Sequence, residues 1–329
     1  MTYSPPPNPP AGRPVRVAYF IASHANPDQV LRLARACLSG GGGSRVLIHH
    51  NYAVSDLPRA AVAAIDNADL LDGHVPVDWG GFSQCAMILR SLRWLLDHRE
   101  FDWVVHLSGQ DYPIRPLAEI EASLAATGHD GFVDARPADE SGWLLGPQRY
   151  YYRYYRLPKF KGWTRVRGLI RRRADAARAA GGLPRLLIPQ EPDRGFRVGV
   201  RPVFDTPFRD GFRCYTGSAW WTLSRRAVDR LVRRGETDAR LVRHYRRAQF
   251  AATESFFPTL LCNDPDLQLV TNDDKRFVRW SRPETGRPDT LAEADFPALV
   301  ASGDHFARKI DQQTAGRLLD LLDEHARRP

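Results

Sequence analysis

Short apolar runs, punctuated by glycine, proline and polar turns, dominate the first part of the chain. Arg16-Val-Ala-Tyr-Phe-Ile-Ala22 predicts a buried strand, because β-branched and aromatic side chains follow one another without a polar break. Ser23-His-Ala-Asn-Pro-Asp28 reads as a loop, with Pro27 where a helix can begin. Val30, Leu33, Ala34 and Cys37 recur at helical spacing before Ser39-Gly-Gly-Gly-Gly-Ser44 ends the run, and Arg45–His49 reads as a second strand. This strand–loop–helix–strand opening predicts a doubly wound α/β sheet with its ligand at the carboxyl ends of the strands. No G-x-G-x-x-G occurs, so the dinucleotide version of such a fold is not supported.

Further along, helices are expected over 56–67, 83–99 and 116–126, and strands over 101–108 and 131–134. Residues 68–72 lead into a turn, 75–83 are extended, and 109–113 form a tight loop. The pattern degrades over 140–212, with a basic helix over 165–180. Order returns at 215–223, a strand in which Gly217 marks a bulge or a close approach. Ser224 caps a helix over 225–234; 252–262 is helical, 267–271 and 276–280 are strands, and 290–301 and 314–327 are helices. The chain therefore divides into a Pro-rich leader over 1–14 expected to be disordered, a first α/β half over 15–139, an insertion over 140–213, and a second half of the same domain over 214–329.

Composition narrows the class. The 329 residues are 43% hydrophobic, enough for a substantial core, and contain no run of 18 apolar residues. The N-terminus lacks the apolar region of a signal peptide. Cys37, Cys85, Cys214 and Cys262 are scattered without C-x-x-C spacing, so reduced thiols, no zinc site and a cytoplasmic location are expected. The net charge is +9, and lysine occurs only at 159, 161, 275 and 309. Such arginine bias suits phosphate or carboxylate recognition; a GC-rich genome produces it too. Residues 149–178 hold eleven basic side chains and one acid, Asp175, with Tyr150, Tyr151, Tyr152, Tyr154 and Tyr155 interleaved. This patch suits an anionic acceptor, an anionic membrane surface or nucleic acid, or is a solvated face with tyrosines packed beneath it.

Candidate chemistry centres on Ala251-Ala-Thr-Glu-Ser-Phe-Phe-Pro-Thr-Leu260. Glu254 stands at the edge of an aromatic run with no local cation. A carboxylate there is either a first-turn residue of a helix capped by Thr253, or a desolvated general base. Asp264-Pro-Asp266 has the spacing of a metal motif but the composition of a turn. Asp111, in Ser-Gly-Gln-Asp-Tyr-Pro, either bonds ligand hydroxyls or closes an Asx turn. His49 and His50 point to opposite faces of a strand and cannot converge on one ion.

Six short motifs in order resemble the core-2/I-branching family of β-1,6-N-acetylglucosaminyltransferases and their protein xylosyltransferase relatives, as a bacterial member. They are Val17–Ala22 with His24; Val77-Asp-Trp-Gly-Gly-Phe-Ser83; His106-Leu-Ser-Gly-Gln-Asp-Tyr-Pro-Ile114; Gly217-Ser-Ala-Trp-Trp-Thr-Leu-Ser224; Glu254-Ser-Phe-Phe-Pro-Thr259; and Phe306-Ala-Arg-Lys-Ile-Asp311. The resemblance implies a GT-A-like glycosyltransferase fold, with a Rossmann-like nucleotide-binding sheet, an acceptor-side mixed sheet and a basic insertion. It implies inverting transfer from a UDP-sugar to a hydroxyl of a glycan or glycoconjugate, with no cofactor or metal. UDP-N-acetylglucosamine is the first donor expected and UDP-xylose the second. Glu254 occupies the base position. Lys309 and Arg276 are expected on the diphosphate, with Arg279 and Arg282 as competitors for the arginine role. His24 and Asn51 are expected to flank the nucleoside, with Asn51 standing where the family often has Asp, and Trp79 is either packed near the donor loop or a core tryptophan. Asp111 is expected near the sugar, and Trp220, Trp221, Tyr215 and Arg153 toward the acceptor. Peripheral contact with an anionic membrane is compatible with the basic patch, and nucleic acid is not the expected partner. The alternative from another class is a non-catalytic glycan- or nucleic-acid-binding protein on the same scaffold.

Overall fold

The structure, a computed structural model, describes residues 14–40, 43–71, 77–78, 80–140, 149–157, 161–188, 197–247, 251–282 and 286–327. In chain order the first half comprises β1 (Val17–Ser23), α1 (Pro27–Cys37), β2 (Arg45–His50), α2 (Arg59–Ala63), β3 (Ala68–Leu70), α3 (Phe82–His98), β4 (Trp103–Ser108), β5 (Tyr112–Pro113), α4 (Leu117–Ala126) and β6 (Gly131–Pro137). The insertion contributes β7 (Arg153–Arg156), α5 (Trp163–Ala179), β8 (Leu186–Leu187) and β9 (Arg197–Val200). The second half adds β10 (Tyr215–Ser224), α6 (Arg225–Thr237), α7 (Ala239–Tyr245), α8 (Thr253–Cys262), β11 (Leu269–Val270), β12 (Arg276–Val278), α9 (Phe296–Ala301), β13 (Phe306–Arg308) and α10 (Gln312–Ala326).

The central sheet runs β11-β6-β10-β4-β1-β2-β3. Strands β4, β1, β2 and β3 are mutually parallel, whereas β10 lies antiparallel to both β4 and β6. This is the mixed α/β, GT-A-like architecture expected from the sequence. Alternate residues of β1 serve opposite faces: Val17, Tyr19 and Ile21 join one core, Ala18 and Phe20 the other. The first core packs under α1, α4 and α10, the second under α3, α6 and α8. Burial on both faces explains why these strands read as continuous apolar runs rather than as alternation.

Several expected elements shift. The helix expected over 56–67 shrinks to the single turn of α2, and 68–70 pairs with β2 as an edge strand. The tight loop at 109–113 contains β5, which joins β13 and β12 in a second sheet of order β12-β13-β5. Strand β13 and helix α7 went unread, because three- to seven-residue elements carry too little periodicity. Ser224 does cap α6, accepting from the Ala227 N–H. Thr253 does not cap α8: Ala252 holds the N-cap position and no side chain bonds there.

The insertion builds a third sheet, β7-β9-β8. Tyr152 and Tyr154 pack with Leu187 beneath it, and Tyr150 is fully buried in the main core. These three tyrosines therefore lie under the basic surface rather than on it, while Tyr151 and Tyr155 are half-buried. The described cysteines form no disulfide, and no described helix is long and apolar enough to cross a membrane.

Gly217 is the close-approach point the sequence predicts. A Cβ there would lie 1.8 Å from the Asp134 carbonyl oxygen. The β10–β6 register then shifts between Gly217 and Trp221, so Ser218–Trp220 leave the ladder as a bulge, which re-aims side chains. Gly217→Ala is expected to destabilise the fold by about 3 kcal/mol, measured as a fall in the urea midpoint at unchanged slope.

Candidate active site

Three loops at the carboxyl ends of parallel strands supply one wall of the site, where an open α/β sheet presents its crevice. His24 follows β1 and Asn51 follows β2; the two are tied together by the Asn51 N–H bonding the Ser23 carbonyl at 2.8 Å and by the Ser55 hydroxyl bonding the His24 carbonyl at 2.9 Å. His24 is exposed and Asn51 half-buried, its side-chain oxygen accepting from the Ala53 N–H. Of the neighbouring histidines, His50 is pinned between Ser23 and the Ser55 carbonyl.

Asp111 follows β4 and is completely buried. One carboxylate oxygen closes the loop, accepting from the Ser108 N–H at 2.6 Å and from the Ser108 hydroxyl. The other has no hydrogen bond, but faces the Nε atoms of Arg308 at 3.5 Å and Arg276 at 4.0 Å. The second sheet brings these three together: β13 pairs with β5, setting Arg308 beside Asp111, while β12 runs parallel to β13 and carries Arg276. Gln29 of α1, itself buried, ties the loop to the β13 exit. Its amide donates to the Gly109 carbonyl at 2.9 Å and the Ile310 carbonyl at 2.8 Å, and its oxygen accepts from the Gln312 N–H.

Arg276 corrects one expectation. Its side chain has no exposed surface. It donates to the main-chain carbonyls of His106 at 3.0 Å and Asp274 at 2.9 Å and lies over the Phe306 ring. It is therefore a buried counter-charge for Asp111 and offers no accessible face to a diphosphate. Arg308 lies outside it, stacked over the Trp220 ring at 4.3 Å, and is the arginine nearer the cleft. Arg279 is held by Asp289 at 3.0 Å and by Asp295. Lys309 is half-buried; desolvation and the nearby Arg308 and Arg287 charges lower its pKa. A polar surface cavity of about 780 Å³, lined by Arg279, Arg282, Arg287 and Asp289, opens on this side and not over Glu254.

Glu254 stands in the first turn of α8. Ser255 and Thr259 fasten that helix to the start of β10 through the Tyr215 main chain, the Ser255 hydroxyl donating to its carbonyl at 2.5 Å and the Tyr215 N–H bonding Thr259 at 3.0 Å. Glu254 is ringed by protein, yet 32% of its side chain stays accessible, as at the floor of an open concavity. Arg149 Nη1 stands 3.6 Å from its carboxylate, and the Tyr150 hydroxyl donates from 3.5 Å. Desolvation raises its pKa above the usual 4.5; Arg149, Tyr150 and Arg308 restrain the rise. Arg308 thus acts electrostatically on both Asp111 and Glu254.

His106 of β4 stacks on Phe20 and meets both tryptophans, each at 4.8 Å. Burial and the two arginines push its pKa down to about 3, so the ring is neutral. Its Nδ1 faces the Ala219 carbonyl at 3.1 Å, and its Nε2, like the Nε atoms of Arg276 and Arg308, makes no hydrogen bond. Asp274, bonded near Ser218, is raised to about 6 by burial.

Three expected acceptor residues move elsewhere. Trp221 is buried against Phe257 and belongs to the core, whereas Trp220 remains at the site. The Tyr215 ring sits within electrostatic reach of Cys262, eight residues or about 12 Å of helix from Glu254. Arg153 is spent on Asp205, at 2.8 Å to its carboxylate and 2.5 Å to its carbonyl. Trp79 lies outside the described residues. Asp264 and Asp266 form the expected turn, both clamped by Arg230 at 2.7 and 2.6 Å. The sequence reading missed Arg149, Tyr150, Arg308 and Gln29; only the family motif Phe-Ala-Arg-Lys, which contains Arg308, held a signal for any of them.

Comparison with known proteins follows the same lines. A family model described as "Branch: Core-2/I-Branching enzyme" matches residues 17–159 and 195–300. Xylosyltransferase 2 of Canis lupus familiaris is 25% identical, the match covering 95% of this chain and 34% of that protein. Beta-glucuronosyltransferase GlcAT14A of Arabidopsis thaliana is 26% identical over 94% of this chain and 64% of its own length. The chain thus spans about a third of the xylosyltransferases it matches. The apo-form glycosyltransferase GlyE of Streptococcus pneumoniae TIGR4 matches 96% of this chain and 61% of its own, at 10% identity and a TM-score of 0.38.

Removing the buried carboxylate leaves two arginines facing each other without compensation. Asp111→Ala is expected to cost about 3–5 kcal/mol of stability, measured by urea denaturation, whereas an uncoupled surface acid would cost almost nothing.

Proposed function

The chain belongs to the Core-2/I-branching enzyme family, and from that premise we propose that it transfers a sugar from a nucleotide diphosphate donor to a hydroxyl of a glycan or glycoconjugate, with inversion and without a metal ion. What supports this reading is one desolvated carboxylate, Glu254, within electrostatic reach of Arg308, which Lys309 follows in the chain; the reading places Glu254 and the Arg308–Lys309 pair on opposite sides of the donor sugar. Displacement at an anomeric carbon needs a proton acceptor on the incoming side and positive charge on the departing side. Glu254 takes the proton of the acceptor hydroxyl as the C–O bond forms, while the bond to the diphosphate oxygen breaks. Desolvation makes Glu254 a stronger base than a solvated carboxylate, and Arg149 restrains that rise. Arg308 and Lys309 stabilise the diphosphate charge, with Arg276 and Asp111 holding Arg308 in place. Trp220 offers an aromatic face to the sugar, and His24 and Asn51 lie where the nucleoside would enter. Cations fill the role a metal plays elsewhere, and the one Asp-x-Asp of the chain is engaged by Arg230.

UDP-N-acetylglucosamine and UDP-xylose are the donors proposed. The names of the relatives favour xylose over N-acetylglucosamine and add glucuronic acid to the panel. A cytoplasmic location is retained as part of the proposal.

Glu254→Gln is expected to lower kcat by about 10²–10⁴-fold while donor binding, followed by calorimetry, stays near the wild-type value; unchanged turnover removes the base assignment. Transfer is expected to persist in EDTA, and loss restored by manganese contradicts the metal-free reading. The acid limb of the rate profile is also diagnostic. A raised Glu254 pKa means the basic form is lost as pH falls through a value above 4.5. Arg149→Leu removes a charge that holds this pKa down, so its acid limb is expected at higher pH than the wild-type limb.

A further inference from the structure

We propose that the outer face of α5 docks the protein on an anionic lipid bilayer. The helix has 17 residues, of which only Trp163 and Ala174 are buried, so most of its circumference faces outward. At about 100° per residue, Arg172, Arg165, Leu169, Arg173 and Val166 fall within one arc of about 120°. Val166 and Leu169 are both more than a third exposed, as are Leu183 and Leu186 in the segment that follows the helix. No acid lies in that arc; the single acid of the helix, Asp175, is off its flank and paired with Arg178 at 2.8 Å. From 161 to 185 the chain carries eight basic side chains and this one acid.

An exposed aliphatic stripe bordered by arginines is what the boundary between headgroups and acyl chains accommodates: the aliphatic groups leave water and the guanidinium groups meet lipid phosphates. Nucleic acid would share the charge attraction, but phosphate contacts leave the exposed aliphatic groups without a role, and Tyr150, Tyr152 and Tyr154, platforms that unpaired bases would need, are buried. The docking face is independent of Glu254, yet it belongs to the insertion that also supplies Arg149 and Tyr150 to the Glu254 carboxylate.

The test is co-sedimentation of the full chain with vesicles of phosphatidylcholine alone and of phosphatidylcholine mixed with phosphatidylglycerol. Binding is expected only to the mixed vesicles and is expected to weaken as salt is raised. The double variant Arg172→Glu/Arg173→Glu is expected to bind at least about tenfold more weakly, and Leu169→Asp also more weakly, both keeping the wild-type circular dichroism spectrum. Arg172→Lys/Arg173→Lys is expected to retain binding, which separates charge from damage to the fold. Equal partition onto both vesicle types, no binding to either, wild-type binding by the charge-reversed variant, or displacement from mixed vesicles by a lower concentration of duplex oligonucleotide phosphate than of competing lipid phosphate would each overturn the proposal.

Discussion

The arrangement of this protein turns on one buried carboxylate. Asp111 sits out of water with one oxygen committed to Ser108 and the other facing two guanidinium groups. Burying one arginine alone would be costly, and burying two beside each other more so. Asp111 offsets part of that cost, and the carbonyls of His106 and Asp274 satisfy Arg276 further. In return the cluster ties the loop after β4 to strands arriving from residues 276 and 308, which are remote in sequence. The second sheet is too short to hold itself in place; Gln29, bonded to both loops, and the Asp111 cluster fix it against the main sheet.

From this anchor the division of charge at the site follows. Arg276 spends its charge inward, and Arg308 carries charge outward over Trp220. The aromatic body of α8 presents Glu254 in a setting that raises its proton affinity, while the insertion returns Arg149 and Tyr150 to limit that rise. The site thus joins residues from the insertion, the middle of the second half and the end of the chain. The field of Arg308 reaches both carboxylates. The Glu254 and Asp111 carboxylates thus share one neighbouring positive charge; under the proposed mechanism this would couple proton removal to leaving-group stabilisation.

Much of the scaffold was legible. Strands β1, β2 and β4 announced themselves as apolar runs because both faces are buried, α3 through its amphipathic spacing, and Gly217 because only a residue without a Cβ fits against the Asp134 carbonyl. Glu254 stood out as a lone acid in an aromatic run. What stayed hidden was contact across long sequence separation. Nothing near Glu254 in the chain predicts Arg149, 105 positions earlier, and nothing in β13, three residues long, signals a strand. Burial was the other blind spot. Trp220 and Trp221 are neighbours in sequence, but the bulge after Gly217 keeps one at the site and sends the other into the core. Arg276 and Arg153 were expected at the diphosphate and toward the acceptor, and the fold uses both as internal ties.

The central claim is spatial: the Glu254 carboxylate and the Arg308–Lys309 charges lie on opposite sides of the reacting carbon. A crystal structure of the Glu254→Gln variant with an intact nucleotide sugar measures this directly. The account predicts the residue 254 side chain on the face of the anomeric carbon away from the diphosphate, with Arg308 and Lys309 against the phosphates. A sugar bound with its diphosphate on the same side as residue 254, or with the phosphates far from Arg308 and Lys309, would contradict it.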